Sequence, residues 1–237
     1  MNFVDWEPVY ERLLADFGYD RAGDERARDI LADLTRSGGS DANPGALDPE
    51  ATGAFDTVDG ATVAVVGAAP GLVDEVERVA AADLVFAAST AADVCLDAGI
   101  GVDCMVTDLD KNPGTARELT REGVPVAAHA HGDNVPAVRE WVPQFDSDWT
   151  LPTTQAAPVG GVRNYGGFTD GDRAAFLADA FGAEELLFVG WAFDDPDVTP
   201  AKARKLRWAE RLLYWLETRR GERFGVLDGR RESLVLP

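Results

Sequence analysis

The spacing of apolar residues changes near residue 62. Before that point they recur at steps of three and four. In "DWEPVYERLLADFG" the residues Trp6, Val9, Tyr10, Leu13, Leu14 and Phe17 share one helical face, and Gly18 supplies a stop. "DERARDILADLTR" predicts a second, more charged helix. Residues 37–54, rich in Gly, Pro and Ser, predict a linker or long loop.

After residue 62, short continuous apolar runs alternate with helical stretches. "TVAVVG", "DLVFAAS", "VDCMVTD", "VPVAAHAH", "DWTLPTTQ" and "ELLFVGW" read as strands. "LVDEVERVA", "TAADVCLDAG", "PGTARELTREG", "NVPAVREWVPQF", "DGDRAAFLADAFG" and the long "PAKARKLRWAERLLYWLETRRG" read as helices. "FGVLDG" and "ESLVLP" suggest a terminal hairpin. Strands that are apolar throughout are buried on both faces. The expected class is therefore α/β: a doubly wound, mostly parallel sheet with helices on both faces, preceded by a small N-terminal helical segment. The expected division is 1–57 for that segment and linker and 58–237 for the α/β domain.

Composition narrows the function. The net charge is −20, with 27 Asp against 15 Glu and 3 Lys against 19 Arg, and the acid is spread along the chain. Such a surface looks salt-adapted, because high salt screens its self-repulsion. It argues against nucleic-acid binding, which needs a basic stripe to meet phosphates. No run approaches a membrane span, and the start lacks a signal-peptide pattern. Cys95 and Cys104 form no CxxC pair. A cytoplasmic protein with reduced thiols is expected.

In a parallel sheet, ligands bind at the carboxyl ends of strands. Gly67, Asp108, His131 and Gly190 all follow apolar runs, so one rim is expected to hold them. "GAAPGL" joins the first strand to its helix, and Gly67, Pro70 and Gly71 allow a tight turn whose N–H groups could meet a phosphate. It is neither a Walker A loop nor a full GxGxxG fingerprint, and many plain βα turns look alike. In "VTDLD", Asp108 and Asp110 would point the same way if extended, and could share a divalent cation. The alternative is a helix cap in a solvated loop.

"HAHGDN" holds both histidines of the chain. Zinc would need a third His or a Cys nearby, so Asp133, Asn134 and His131 suit magnesium or phosphate better. His129, deeper in the strand, reads as a core residue. "RNYGGFTDGDRA" runs a glycine loop into a helix capped by Thr169 or Asp170; Asn164, Gly166 and Gly167 would let a flat ligand approach. Lysine is rare, yet Lys111 follows the DLD, and Lys202 and Lys205 lie one turn apart on the last helix, where ammonium groups would suit phosphate.

In order, "GAAPGL", "VTDLD", "HAHGDN", "NYGGFTDGDRA" and "VGWAF" followed by "KARKLRWAERLL" resemble the archaeal type of 6-hydroxymethyl-7,8-dihydropterin diphosphokinase, a family with a domain related to thiamine diphosphokinases. The likeness spans about residues 60 to 220. It implies that 58–237 is a diphosphokinase catalytic domain using ATP as co-substrate and Mg2+. It implies transfer of diphosphate to the pterin hydroxymethyl group, with AMP released, in folate- or methanopterin-type cofactor synthesis.

By that resemblance Asp108 and Asp110 hold the metal, with Asp133 as a further ligand or base. Lys202 and Lys205 would stabilise leaving AMP. Gly67, Pro70, Gly71, His131 and Asn134 would contact the nucleotide. Asn164, Tyr165, Gly166, Gly167 and Asp170 would form the pterin site, with Trp191 or Phe193 as a stacking face. The first turn departs from the family's more usual Gly-Pro-Ser-Leu form, which removes a side-chain hydroxyl there. Partners would be small molecules, with no nucleic acid or membrane; a homodimer agrees with related kinases. The rival readings are a nucleotide-sugar-dependent glycosyltransferase and a metal-dependent phosphohydrolase on a related fold.

Overall fold

The computed structural model describes residues 1–36 and 45–237. Of the expected linker, residues 37–44 lie outside the described residues. In chain order the helices and strands are α1 (Phe3–Phe17), α2 (Arg21–Thr35), α3 (Pro49–Thr52), β1 (Thr62–Val66), α4 (Leu72–Glu75), β2 (Leu84–Ala88), α5 (Ala91–Asp97), β3 (Cys104–Thr107), α6 (Pro113–Arg121), β4 (Val126–Ala130), α7 (Val135–Trp141), β5 (Thr150–Thr154), α8 (Asp170–Ala180), β6 (Glu185–Val189) and α9 (Pro200–Arg220). All six predicted strands are present, and every recorded strand pair is parallel. The class is α/β with an N-terminal helical segment, as the apolar runs implied.

The chain forms two compact units, 1–57 with 103–166 and 58–102 with 167–237. In the first, the strand order is β5-β4-β3, and Val126 of β4 aligns with both Thr150 and Met105. Helix α1 starts at Asn2, whose side chain accepts the Asp5 N–H at 2.9 Å, and ends at Gly18 in the left-handed region. Of its predicted apolar face, Trp6, Val9, Tyr10, Leu13 and Leu14 are buried, while Phe17, in the last turn, is half-buried. Helix α2 buries Asp24, Ala27 and Leu31, a face with one charged member, and packs on β4, β5 and α7.

In the second unit the order is β2-β1-β6, with Val63 of β1 aligned to Leu84 and Leu186. The chain leaves β1 on one side for β2 and returns on the other for β6. The strand order therefore reverses at β1, and the crevice that such a reversal opens lies beyond the carboxyl ends of β1 and β6. Helix α8, with Ala174, Ala175, Phe176 and Leu177 all buried, packs on β1 and β2.

The expected terminal hairpin is absent. Gly225–Leu227 and Arg231–Ser233 are single 3-10 turns. The apolar runs there are three residues long, and arginine anchors outcompete pairing. Arg231 donates to Glu217 Oε1 at 2.8 Å and to the Phe224 carbonyl at 2.7 Å, while Arg230 pairs with Glu210. These contacts lay the tail along α9.

Candidate active site

In the first unit, Asp108 follows β3 and His131 follows β4. The "DLD" segment is not extended, contrary to expectation. Leu109 has φ 66°, its N–H donates to Thr107 Oγ1 at 3.0 Å, and the Asp110 N–H donates to Asp108 Oδ1 at 3.3 Å. A left-handed leucine costs on the order of 1–3 kcal/mol and persists only where its surroundings dictate it. Here the side chain is buried and the turn is bonded to buried Thr107. The two carboxylates therefore differ in setting: Asp108 is largely buried and Asp110 is exposed.

Asn134 ties the two strand ends together. Its amide nitrogen donates to the carbonyls of Asp108 and His129, at 2.7 Å each, and its Oδ1 accepts the His131 N–H at 2.9 Å. It is 6% exposed, so these bonds make it a strut more than a ligand contact. His131 Nδ1 lies 3.3 Å from the Asp133 N–H, which makes Nδ1 an acceptor and puts the proton of the neutral ring on Nε2. That nitrogen faces Asp108 Oδ2 at 3.6 Å. Asp133 itself is exposed. His129 is buried in β4, with Nδ1 3.1 Å from Thr153 Oγ1, as befits a core histidine. Among the described residues, no three His, Cys, Asp or Glu side chains gather into a metal-binding group.

The turn after β5 follows the same pattern. Asn164 donates to the carbonyls of Gln155 at 2.9 Å and Ala156 at 2.8 Å, and accepts the Gly166 N–H at 2.9 Å. Its amide therefore shapes the loop. Gly166 sits at φ 92°, where a side chain would be strained. Beside it, burial pushes the Tyr165 phenol up to about 12, with Arg163 opposing the shift, so the hydroxyl stays a donor.

In the second unit, Gly67 and Gly190 cross at the carboxyl ends of β1 and β6. A Cβ on Gly67 would lie 2.6 Å from the Gly190 carbonyl oxygen, and one on Gly190 2.3 Å from that of Gly67. The N–H groups of Gly67 and Ala69 donate to Val189 and Gly190 carbonyls. Helix α4 is one turn long, so the phosphate cradle expected from "GAAPGL" has less N-terminal helix to draw on than the sequence suggested. Trp191 donates its indole N–H to the Val65 carbonyl at 2.9 Å. Pro70, Gly71, Trp191, Phe193 and Arg230 line part of a pocket of about 500 Å3 at the point where the strand order reverses.

Gly167 is fixed by sterics, because a Cβ there would sit 2.6 Å from the Arg173 Cα. Asp170 pairs with Arg173 at 3.0 Å, both largely buried. Asp172, fully buried, closes the helix start by accepting the N–H groups of Phe168 at 2.6 Å and Thr169 at 2.9 Å. Burial pushes its carboxyl upward against those bonds. Lys205 reaches over the Phe168 ring at 5.9 Å, next to Gly167, whereas Lys202 is exposed in the first turn of α9.

Residues 44–197 match the family described as 6-hydroxymethylpterin diphosphokinase, MptE-like. The chain belongs to the MptE-like family.

Three relatives agree along nearly the whole length. The chain is 36% identical over 236 residues to the 6-hydroxymethyl-7,8-dihydropterin pyrophosphokinase of Methanothermobacter thermautotrophicus, covering 92% of this chain and 96% of the relative. It is 36% identical over 234 residues to the protein of that name from Pyrococcus furiosus, covering 92% and 95%. It is 28% identical over 240 residues to that from Methanocaldococcus jannaschii, covering 92% and 96%. The MptE-like match contains every candidate residue from Gly67 to Asp170 and leaves out Lys202, Lys205, α1 and α2.

The sequence reading missed Asp24, Gln155, Asp172 and Arg173. Asp24 shares the buried face of α2 with Ala27 and Leu31, at steps of three and seven, and that periodicity was the signal available. The signal for Arg173 was its i,i+3 spacing from Asp170.

Proposed function

We propose that this MptE-like protein transfers diphosphate from ATP to the hydroxymethyl group of 6-hydroxymethyl-7,8-dihydropterin, giving the pterin diphosphate and AMP, in folate- or methanopterin-type cofactor synthesis. The observation that carries the reading is the Asp108–His131 pair, held at the ends of β3 and β4 by Asn134, in a chain that aligns nearly end to end with relatives of that name. Such a transfer is mainly positioning and neutralisation of charge. The pterin hydroxyl oxygen bonds to the β-phosphorus, the bond from that phosphorus to the oxygen of the α-phosphate breaks, and the hydroxyl proton passes to a base.

Asp108, with Asp110, is the carboxylate set for Mg2+, which takes one or two carboxylates and completes its shell with phosphates and water. The all-oxygen donors fit that ion, and the exposed position of Asp110 leaves room for a phosphate-bearing ligand. Bound there, the ion would supply charge neutralisation to the phosphates. His131, with Nε2 3.6 Å from Asp108 Oδ2, is placed to steady the Asp108 carboxylate once a ligand draws the two together. Asp133, exposed next to His131, is the candidate base or further ligand.

For the pterin, the Tyr165 hydroxyl in the first unit offers a hydrogen bond from the loop that Asn164 and Gly166 shape; in the second, Asp170, paired with Arg173 beyond Gly167, is a candidate contact. Lys205, beside Gly167, and Lys202 supply positive charge for the departing AMP. The pocket edged by Pro70, Gly71 and Trp191 is the candidate seat of the nucleotide, with Gly67 at its base. The same reading carries a cytoplasmic enzyme and a homodimer as proposals. Among the described residues no helix is long and apolar enough to cross a membrane.

The test is incubation with ATP, magnesium and the hydroxymethyldihydropterin. Equimolar AMP and pterin diphosphate is the expected result; ADP, or phosphate without pterin product, would overturn the reading.

A further inference from the structure

The N-terminal helices have no part in the chemistry above, yet α2 carries a carboxylate that reaches two of its loops. Asp24 is 3% exposed. Its Oδ1 accepts the Gly132 N–H at 2.8 Å, and its Oδ2 accepts the Tyr10 hydroxyl and the Gln155 amide N–H, at 2.7 Å each. Gln155 extends the link, because its carbonyl oxygen accepts the Asn164 amide N–H and the Trp6 indole N–H, at 2.9 Å each. The backbones also meet closely: a Cβ on Gly132 would lie 3.3 Å from the carbonyl carbon of Gly23. Burial, reinforced by the Asp24 carboxylate, raises the Tyr10 phenol well above its ordinary value and keeps it a donor.

For stability alone, an apolar residue would complete the Ala27 and Leu31 face of α2 without taking a charge out of water. What the carboxylate adds is direction. It fixes the residue between His131 and Asp133, and through Gln155 it fixes the turn that Asn164 closes. We propose that Asp24 is a positioning residue: from α2 it holds the His131–Asn134 loop directly, and the Asn164 turn through Gln155, in the geometry used for diphosphate transfer. This inference rests on the function proposed above.

The experiment compares wild type with Asp24→Ala, Asp24→Asn and Leu31→Ala, the last a buried apolar control on the same helix. Two readouts are taken well below the melting temperature of the least stable variant. One is hydrogen exchange over residues 129–135 and 162–166, with α9 as internal reference. The other is AMP release titrated with magnesium. For Asp24→Ala the two loops should lose protection while α9 keeps it. Turnover per folded molecule should fall about 10- to 100-fold, with a higher magnesium concentration for half-maximal rate. Asp24→Asn keeps an acceptor for Gly132 but turns a donor toward Gln155; it should show the same signature more weakly, and it carries the test if the alanine variant does not fold. Leu31→Ala should lower the melting temperature and leave both readouts unchanged.

Wild-type exchange in both loops of the Asp24 variants would overturn the inference. So would lost protection with unchanged turnover and magnesium response, since that describes a purely structural residue. If the wild-type protein makes no pterin diphosphate, the functional reading falls, and the exchange comparison alone decides whether Asp24 orders these loops.

Discussion

The two units build their strand-end turns with different emphasis. In the first, the turns after β3, β4 and β5 are shaped by side chains that reach backbone groups: Thr107, Asn134, Asn164 and, from α2, Asp24. In the second, Glu75 and Asp172 also accept backbone N–H groups, but the turns after β1 and β6 and the entry to α8 are limited above all by the lack of room for a side chain at Gly67, Gly190 and Gly167. A hydrogen-bonded turn fixes the direction of polar groups and responds to the exchange of single atoms. A turn fixed by close backbone approach is indifferent to polarity and intolerant of one added carbon. The first arrangement suits carboxylates that must be aimed, and the second suits a crevice wall that a ligand must approach.

The largest expected effect tests the steric half. Gly190→Ala adds a Cβ 2.3 Å from the Gly67 carbonyl oxygen at φ 73°, and should cost more than about 4 kcal/mol or prevent folding. Gly99→Ala, at the same φ with nothing within 4 Å, should cost only about 1–2 kcal/mol. Urea melts of the pair separate crowding from backbone strain, and equal losses would break the contrast.

Next comes the polar half. Asp108→Asn keeps the shape and removes the charge. Turnover should fall by about 100- to 1000-fold with stability nearly unchanged, and more magnesium should be needed for half-maximal rate. Wild-type turnover with an unchanged magnesium response would remove Asp108 from the chemistry.

Asn134→Asp replaces a two-hydrogen donor by an acceptor facing two carbonyls. A loss of about 2–3 kcal/mol is expected, from calorimetry. An unchanged melt would mean the strut is dispensable.

Smaller effects concern charge. Lys205→Ala should raise the Michaelis constant for ATP about five-fold, corresponding to about 1 kcal/mol. Lys202→Ala, exposed, should raise it less; identical constants for both variants and wild type would place the lysines outside the site. Melting temperature should also rise steadily with potassium chloride, because the charge of −20 repels itself in dilute buffer. A flat profile would end the salt-adaptation reading.

The sheet was legible because fully buried strands leave continuous apolar runs, and Val63 to Val66 could hardly lie elsewhere. The turns were legible as places but not as shapes. Nothing in "DLD" announces a left-handed Leu109, since leucine rarely adopts that conformation and the cause lies in Thr107 and the surrounding core. Asn134 and Asn164 stood out as polar residues in a glycine-rich setting, but a sequence does not show where an amide's hydrogen bonds go. The tail looked like strands because short apolar runs carry no record of the arginine anchors that hold them to α9. Asp24 was hidden by its neighbours, for "DERARD" reads as a solvated face until the burial of one acid in it is seen.

Asn134 also bears on how the protein ages. Hydrolysis of its side-chain amide would replace the NH2 group that bridges the Asp108 and His129 carbonyls with an oxygen that repels both. One slow chemical event could thus undo the joint between two strands without cutting the chain. The same bonds that make the amide necessary also hold it still and away from water, so the working lifetime of the site and its geometry depend on one buried side chain.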